Sequence, residues 1–319
     1  MLQGERSKRL SPDETEAVVK AIVLTGYGDV DRLEMREVPE PRAAAGELKV
    51  RMSASSVNAV DWKIRRGDMK AWMPVDFPHI LGHDTSGEVV EVGSQGTGFK
   101  VGDRVLGLVR QAYAEYVTAP LDAWALLPAK LDLKDAAALP VVALTGAQLI
   151  EEAVRPRRND LLLVTGAVGS VGRAALHAAT KLGARVIAGV RKGQVPEAAK
   201  LGVESVVALD DPAMVDRIPL LDSIADTVGG ETVARLLPRV KRGGTIGSVL
   251  GEPSGAKERG LLVRAIQTHA DSKRLAALAQ AVVAGELVIP IGGRFPLSNA
   301  REAHRLAERG GTGKVLLTA

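Results

Sequence analysis

Leu161-Leu-Leu-Val-Thr-Gly-Ala-Val-Gly-Ser-Val-Gly172 is a short apolar run that breaks into glycines at 166, 169 and 172 and then passes into helical apolar spacing. Leu161–Thr165 suits a strand buried on both faces. Glycine at 166 permits a tight turn, glycine at 169 lets the backbone approach a pyrophosphate, and glycine at 172 lets the helix pack closely on the strand. The free amides at a helix start, together with its dipole, favour phosphate oxygens. The spacing is G-x-x-G-x-x-G rather than the commoner G-x-G-x-x-G, so its weight comes from the strand–turn–helix setting. The competing explanation is a glycine turn with no ligand. In its setting the stretch reads as a dinucleotide site made by Gly166, Ala167, Val168, Gly169, Ser170, Val171 and Gly172.

Working outward, strand-length apolar runs alternate with helical patterns. Arg185–Val190, Ser205–Ala208, Ile224–Val228, Thr245–Leu250 and Leu261–Gln267 read as strands, and Val171–Leu182, Pro196–Leu201 and Glu231–Leu237 as helices. Such alternation builds an α/β, doubly wound parallel sheet. Before Asp135 the rhythm differs. Ala21–Leu24, Glu47–Ser56, Thr85–Val92, Arg104–Val109 and Ala114–Thr118 are short strands separated by turns such as Gly93-Ser-Gln-Gly96, which suggests a partly open barrel. The tail holds a helix over Leu275–Val283, an apolar run Leu287–Ile291 and a helix near Asn299–Glu308. Residues 1–19 read as a polar extension, with the compact fold beginning at Val18 or Val19.

The strand Arg185–Val190 runs into Arg191-Lys192, and the first carboxylate after it is Glu197. An NAD site wants a carboxylate there for the ribose 2′-hydroxyl, whereas two cations suit a 2′-phosphate. NADPH is therefore the expected cofactor, against the alternative of two solvated surface cations.

Composition narrows the field. The 319 residues carry 42 Lys and Arg against 38 Asp and Glu, mixed along the chain, with 3% aromatics. That balance argues against nucleic-acid binding. The longest apolar runs are too short to span a bilayer, and no charged-then-apolar leader pattern is seen, so no membrane association and a cytoplasmic location are expected. There is no cysteine, which removes disulfides, thiolate nucleophiles and thiolate zinc sites.

Gly82-His-Asp84, Val101-Gly-Asp-Arg-Val105, the glycine turn and the closing Gly313-Lys-Val-Leu-Leu317 together resemble the medium-chain dehydrogenase/reductase superfamily from Lys20 onward. The resemblance implies a GroES-like β-rich catalytic domain over 20–137 and 272–319, and a Rossmann-type nucleotide-binding domain over 138–271. The catalytic zinc of the metal-dependent members is held by Cys, His and Cys; the corresponding places here are Asn58, His83 and Val141. One imidazole does not make a zinc site. No metal is expected, and His83 is expected to be a hydrogen-bonded, packed side chain rather than a catalytic one.

Ser55-Ser-Val-Asn-Ala-Val-Asp-Trp-Lys-Ile-Arg-Arg-Gly67 is similar to the S-x-N-x-x-D-x-x-x-R-x-G run of the zinc-free quinone oxidoreductase (zeta-crystallin-like) branch. That likeness implies Asn58 and Asp61 in the catalytic cleft and Thr145 lining the nicotinamide pocket. It further implies Val228, Gly229, Val249, Leu250 and Lys314 among the cofactor contacts. Asn58 and Asp61 also read as a turn pair capping a helix that starts near Trp62. The connection Leu108–Ala112 is short for this branch.

Without a metal to polarise a simple carbonyl, conjugated acceptors are the natural hydride targets, since the developing enolate needs only hydrogen-bond donors and a proton. The expected reaction is hydride transfer from NADPH to a quinone or α,β-unsaturated carbonyl. An enone reductase for one specific metabolite and an NADPH-binding sensor without turnover are the alternatives. Tyr113, Tyr116, Asp61, Lys63, His83 and solvent all stand as proton sources. The run Leu261–Gln267 should end the parallel sheet, and relatives pair that edge across a two-fold axis, so a homodimer is expected.

Overall fold

The computed structural model describes residues 17–93 and 98–319. Residues 94–96 of the expected turn at Gly93–Gly96 and nearly all of the expected extension therefore lie outside the described residues. Strands β1 (Val18–Leu24), β2 (Leu33–Pro39), β3 (Glu47–Val57), β4 (His79–Ile80), β5 (Asp84–Val92), β6 (Arg104–Leu108), β7 (Tyr116–Pro120) and β8 (Trp124–Leu126) come first, interrupted by helix α1 (Ala59–Arg66). Helix α2 (Pro140–Gln148) follows. Then come β9 (Leu161–Thr165), α3 (Ser170–Lys181), β10 (Arg185–Val190), α4 (Val195–Ala198), β11 (Ser205–Ala208) and α5 (Pro212–Asp216). The remainder is β12 (Leu221–Asp226), α6 (Gly230–Leu236), β13 (Val240–Ser248), β14 (Leu262–Ala265), α7 (Ser272–Val283), β15 (Ile291–Pro296), α8 (Ala300–Arg309) and β16 (Lys314–Thr318).

Six strands form one parallel sheet in the order β11-β10-β9-β12-β13-β14. The winding reverses between β9 and β12, so the crevice beyond their C-terminal ends is the switch point where such sheets bind ligands. The second large sheet runs β15-β16-β3-β5-β6-β8 with β7 on β3, and a small sheet β2-β1-β4 lies beside it. Chain from the C-terminal end thus returns to the antiparallel sheet built by the N-terminal strands: β16 pairs antiparallel with β3, Val315 opposite Val57.

One apolar cluster joins these parts. It takes Ala54, Leu106 and Leu316 from the antiparallel sheet, Leu162, Val164 and Val186 from the parallel one, and the alanine-rich segment Ala136–Val154 between them. Small residues let this segment approach other backbones. A Cβ added at Gly146 would sit 2.5 Å from the Val171 carbonyl oxygen, so α2 crosses α3 at backbone distance.

Several boundaries depart from the sequence reading. The fifth strand is Tyr116–Pro120 rather than Ala114–Thr118, and α1 begins at Ala59, not near Trp62. Val18 and Val19 already pair with Pro39 and Val38. The run Leu287–Ile291 makes no strand of its own: Leu287 and Ile289 are buried as coil, Pro290 lacks an amide donor, and β15 starts at Ile291. Helix α2 had no sequence signal because it is buried nearly all round, which erases the 3.6-residue alternation.

Candidate active site

At the end of β9 the backbone turns at Gly166, whose φ of +62° favours glycine and whose absent Cβ would meet Thr227 Oγ1 at 2.6 Å. At Gly172 a Cβ would lie 2.2 Å from the Gly166 carbonyl oxygen, so the helix start rests on the turn itself. At Gly169 an added Cβ would meet only that same oxygen, at 3.1 Å, which leaves its outer face bare. Gly169 is the N-cap of α3 and offers no side chain to the first helical amides. These are the features a pyrophosphate needs: a bare backbone face and unsatisfied N–H groups at the start of a 12-residue helix.

The sequence reading missed the residue that ties the neighbouring strand ends together. The Asp226 carboxylate at the end of β12 is buried. It accepts from Thr165 Oγ1 (3.0 Å), the amides of Val228 (3.1 Å) and Gly229 (2.9 Å), and Ser248 Oγ (3.0 Å). Ser248 Oγ in turn accepts from the Leu250 amide at 3.1 Å. Val228, Gly229, Val249 and Leu250 are thereby fixed at the rim beside the glycine turn, with Val228 46% and Leu250 48% exposed. Arg191 and Lys192 follow β10 on the same rim, both exposed, and neither side chain forms an ion pair among the described residues. Glu197 is occupied by Arg173 at 2.6 Å. A carboxylate from the next strand end, Asp210, reaches this corner and accepts from the Lys192 amide at 2.7 Å; its position 18 residues on in sequence hid it.

The second group of predicted residues gathers where β3 passes into α1. Asn58 is the N-cap of α1, but its amide turns away from the helix: Nδ2 donates to Asp84 Oδ2 (2.7 Å) and Oδ1 accepts from Lys314 Nζ (2.6 Å). Lys314 also pairs with Asp84 at 3.2 Å, and Ser56 donates to the same carboxylate. Asp84 is fully buried and Lys314 is 5% exposed, so this ion pair depends on its hydrogen bonds to offset desolvation. The other Asp84 oxygen accepts from the Val141 amide at 2.6 Å, locking α2 to the antiparallel sheet. Thr145, one turn along α2, donates to the Val141 carbonyl and meets Thr268 Oγ1, each at 2.6 Å. Lys314 therefore sits among the cleft residues rather than with the glycine turn.

Asp61 supplies the cap that Asn58 does not. Its Oδ2 accepts from the Asn58 amide (2.8 Å), and its Oδ1 takes the Gly82 amide (3.2 Å) and His83 Nδ1 (2.8 Å). Burial opposes its charge, yet these donors and the His83 ring outweigh it and hold the carboxyl below its ordinary range. For His83, burial disfavours the charged ring, but the Asp61 hydrogen bond and the Asp61 and Asp84 charges prevail and raise it.

Of the other side chains weighed as proton sources, Tyr113 is fully buried, and desolvation together with the Asp61 charge pushes its hydroxyl well above the ordinary phenol range. Tyr116 lies under Lys49, and Lys63 lies over Trp62. Two surface hollows, of about 300 and 440 Å³, lie against α8 and along β3 and β7, away from both groups.

Residues 44–129 match the family of alcohol dehydrogenase GroES-like domains, and residues 201–317 match the family of zinc-binding dehydrogenases. A chloroplastic quinone-oxidoreductase homologue from Spinacia oleracea is 36% identical over 178 residues, 52% of this chain; the match spans 53% of that protein, about half its length. The quinone oxidoreductase of Coxiella burnetii superposes with a TM-score of 0.85 at 28% identity, over 95% of this chain and 100% of that one. A mycobacterial protein complexed with NADPH (TM-score 0.81, 27% identity, 94% of this chain and 100% of that one) and an NAD-dependent alcohol dehydrogenase (0.82, 28%, 94% and 99%) are similar to almost the same degree. Matching domain models in both halves of the chain and a whole-length structural likeness point one way: the chain resembles the medium-chain dehydrogenase/reductase superfamily, and within it the quinone oxidoreductases.

Proposed function

We propose that this chain is a zinc-free enzyme that reduces a quinone or other α,β-unsaturated carbonyl with NADPH and works as a homodimer. The observation that carries the reading is what fills the places of the metal ligands in zinc-dependent relatives. Asn58 is taken up by Lys314 and Asp84, His83 by Asp61, and Val141 gives its amide to Asp84. Among the described residues no group of three or more His, Cys, Asp or Glu side chains is arranged to hold a metal ion.

When bound, the cofactor supplies hydride. The chain's part is to place it: the glycine turn takes the pyrophosphate, Val228 and Leu250 offer apolar cover, and Thr145 and Asn58 border the nicotinamide. Thr145 gives its proton to the Val141 carbonyl, so towards a ligand its hydroxyl offers a lone pair, which suits the carboxamide N–H. Choice of NADPH rests on Arg191 and Lys192, whose cations form no ion pair among the described residues, while the Asp210 carboxylate already engages the Lys192 amide.

Calorimetric titration with NADPH and NADH tests this. NADPH should bind about 10- to 100-fold tighter, the difference expected of charge-assisted hydrogen bonds to one phosphate, and Arg191→Ala with Lys192→Ala should bring the two nearly level. Absorbance at the nicotinamide band should then fall with quinones or enones, and a zinc chelator should leave the rate unchanged. Equal affinity for NADH with no effect of the double variant would sink the cofactor choice. Tight binding of NADPH with no acceptor reduced would leave a binding protein without turnover.

A further inference from the structure

We propose that His83 is the acid that protonates the reduced acceptor, with Asp61 as the residue that positions its ring. This rests on the hydride-transfer reading above. Asp61 Oδ1 lies 2.8 Å from His83 Nδ1, and a buried carboxylate in that place makes Nδ1 the N–H side of the ring. Nε2, across the ring, has no hydrogen-bond partner among the described residues, and the side chain is 21% exposed. The same Asp61 carboxylate accepts from the backbone amide of Asn58, so one buried anion anchors both the imidazole and the residue that binds Asp84 and Lys314. The ring's backbone is clamped as well: the Val109 amide donates to the His83 carbonyl at 2.9 Å, and the Ala112 amide to the Gly82 carbonyl at 3.2 Å. A free second nitrogen, a fixed ring and a carboxylate orienter make up the arrangement of a general acid.

The charges around the ring favour its protonated form. Asp61 on α1 and the adjacent Asp84 on β5 act for it; Arg110 in the short 108–112 connection and His79 on β4 act against it. The balance holds His83 above its ordinary value of 6.5. Three other groups weighed as donors are otherwise engaged. Lys314 is committed to Asn58 and Asp84, Asp61 is ionised, and the Tyr113 hydroxyl is sealed in the interior.

In the step itself the acceptor takes hydride from the reduced nicotinamide at the carbon remote from its oxygen. Its π electrons move onto the oxygen as an enolate. The His83 Nε2–H bond then breaks and that proton goes to the enolate, leaving a neutral ring that recovers a proton from water. The acceptor would thus gain one hydride from the bound cofactor, which would be left oxidised, and one proton from His83.

The test joins a readout without cofactor to one with it. In the unliganded protein followed by NMR, the His83 imidazole should titrate above 6.5, as should the surface His269 that pairs with Glu152. The His83 signal should vanish in His83→Asn, which keeps an amide donor for Asp61, and its midpoint should fall in Asp61→Asn. In turnover, the wild-type rate should decline as pH rises through that same midpoint. His83→Asn should lose about 100-fold in kcat and lose that decline, while NADPH affinity stays within about threefold. A variant that keeps the alkaline decline, or a His83 imidazole that titrates at or below 6.5, overturns the assignment. If wild type reduces no acceptor at all, the hydride-transfer reading fails and takes this one with it; wild-type turnover with an unaltered His83→Asn profile removes His83 alone.

Discussion

Two histidines of this chain answer to pH in opposite directions, and the cause is what surrounds each ring. His304, on α8, is fully buried, neither ring nitrogen has a hydrogen-bond partner among the described residues, and Tyr113 meets it edge-on at 5.8 Å. Burial, with a smaller opposing pull from Asp61 and a push from Arg65, lowers it from 6.5 to about 4. Between those values the unfolded chain binds a proton that the folded one does not, so stability must fall as pH falls through that window. A shift of that size amounts to about 3 kcal/mol, complete above the ordinary value and lost below the folded one. His83 runs the other way: its stabilisation is present below 6.5 and fades as pH climbs through its raised folded value. Urea unfolding at a series of pH values should show the acid-side loss in wild type, and His304→Phe should flatten it. An equally steep acid slope in that variant would mean that other groups carry it.

At the scale of elements, the rim of the parallel sheet depends on one carboxylate. Asp226 collects four donors from three consecutive segments, the ends of β9 and β13 and the turn after β12. Replacing it by alanine strands buried donors at each end, and the expected cost is about 3 kcal/mol of unfolding free energy together with a weakened grip on NADPH. Chemical denaturation and calorimetry on Asp226→Ala check both. A stable variant with unchanged affinity would show that the rim holds its shape without it. Asp226 also marks the limit of what the sequence can tell. Strands β9, β10 and β11 and the glycine turn were legible because two-faced burial and backbone glycines leave local signatures. The partner of Lys314 was not: Asp84 lies 230 positions away, and nothing local distinguishes a buried carboxylate from an exposed one. For the same reason Asn58 was read as a helix cap as well as a cleft residue. Its place in the sequence is that of a cap, but Asp61 does the capping while the amide is drawn off by distant charges. Helix α2, apolar on every side, gave no periodicity to read.

Across the whole molecule, a shared apolar cluster joins the two sheets, because buried residues between Ala136 and Val154 pack with side chains of both. Among the described residues the parallel sheet ends in two edge strands, β11 and β14. β14 closes the parallel sheet with β13 on one side only, and Leu262 on it is 52% exposed. An open edge strand bearing apolar side chains is a surface that a second copy can cover by strand pairing about a two-fold axis. A dimer that binds only the folded chain draws the folding equilibrium with it, so the melting temperature should rise with protein concentration. Light scattering should then report twice the 33.5 kDa chain mass. Leu262→Lys should place a charge on the edge, give a single chain mass and remove the concentration dependence. NADPH binding should survive, because the glycine turn follows β9, three strands in from that edge. Wild type that scatters as a single chain at every concentration tested would remove the dimer and leave the edge to be guarded by its own short length.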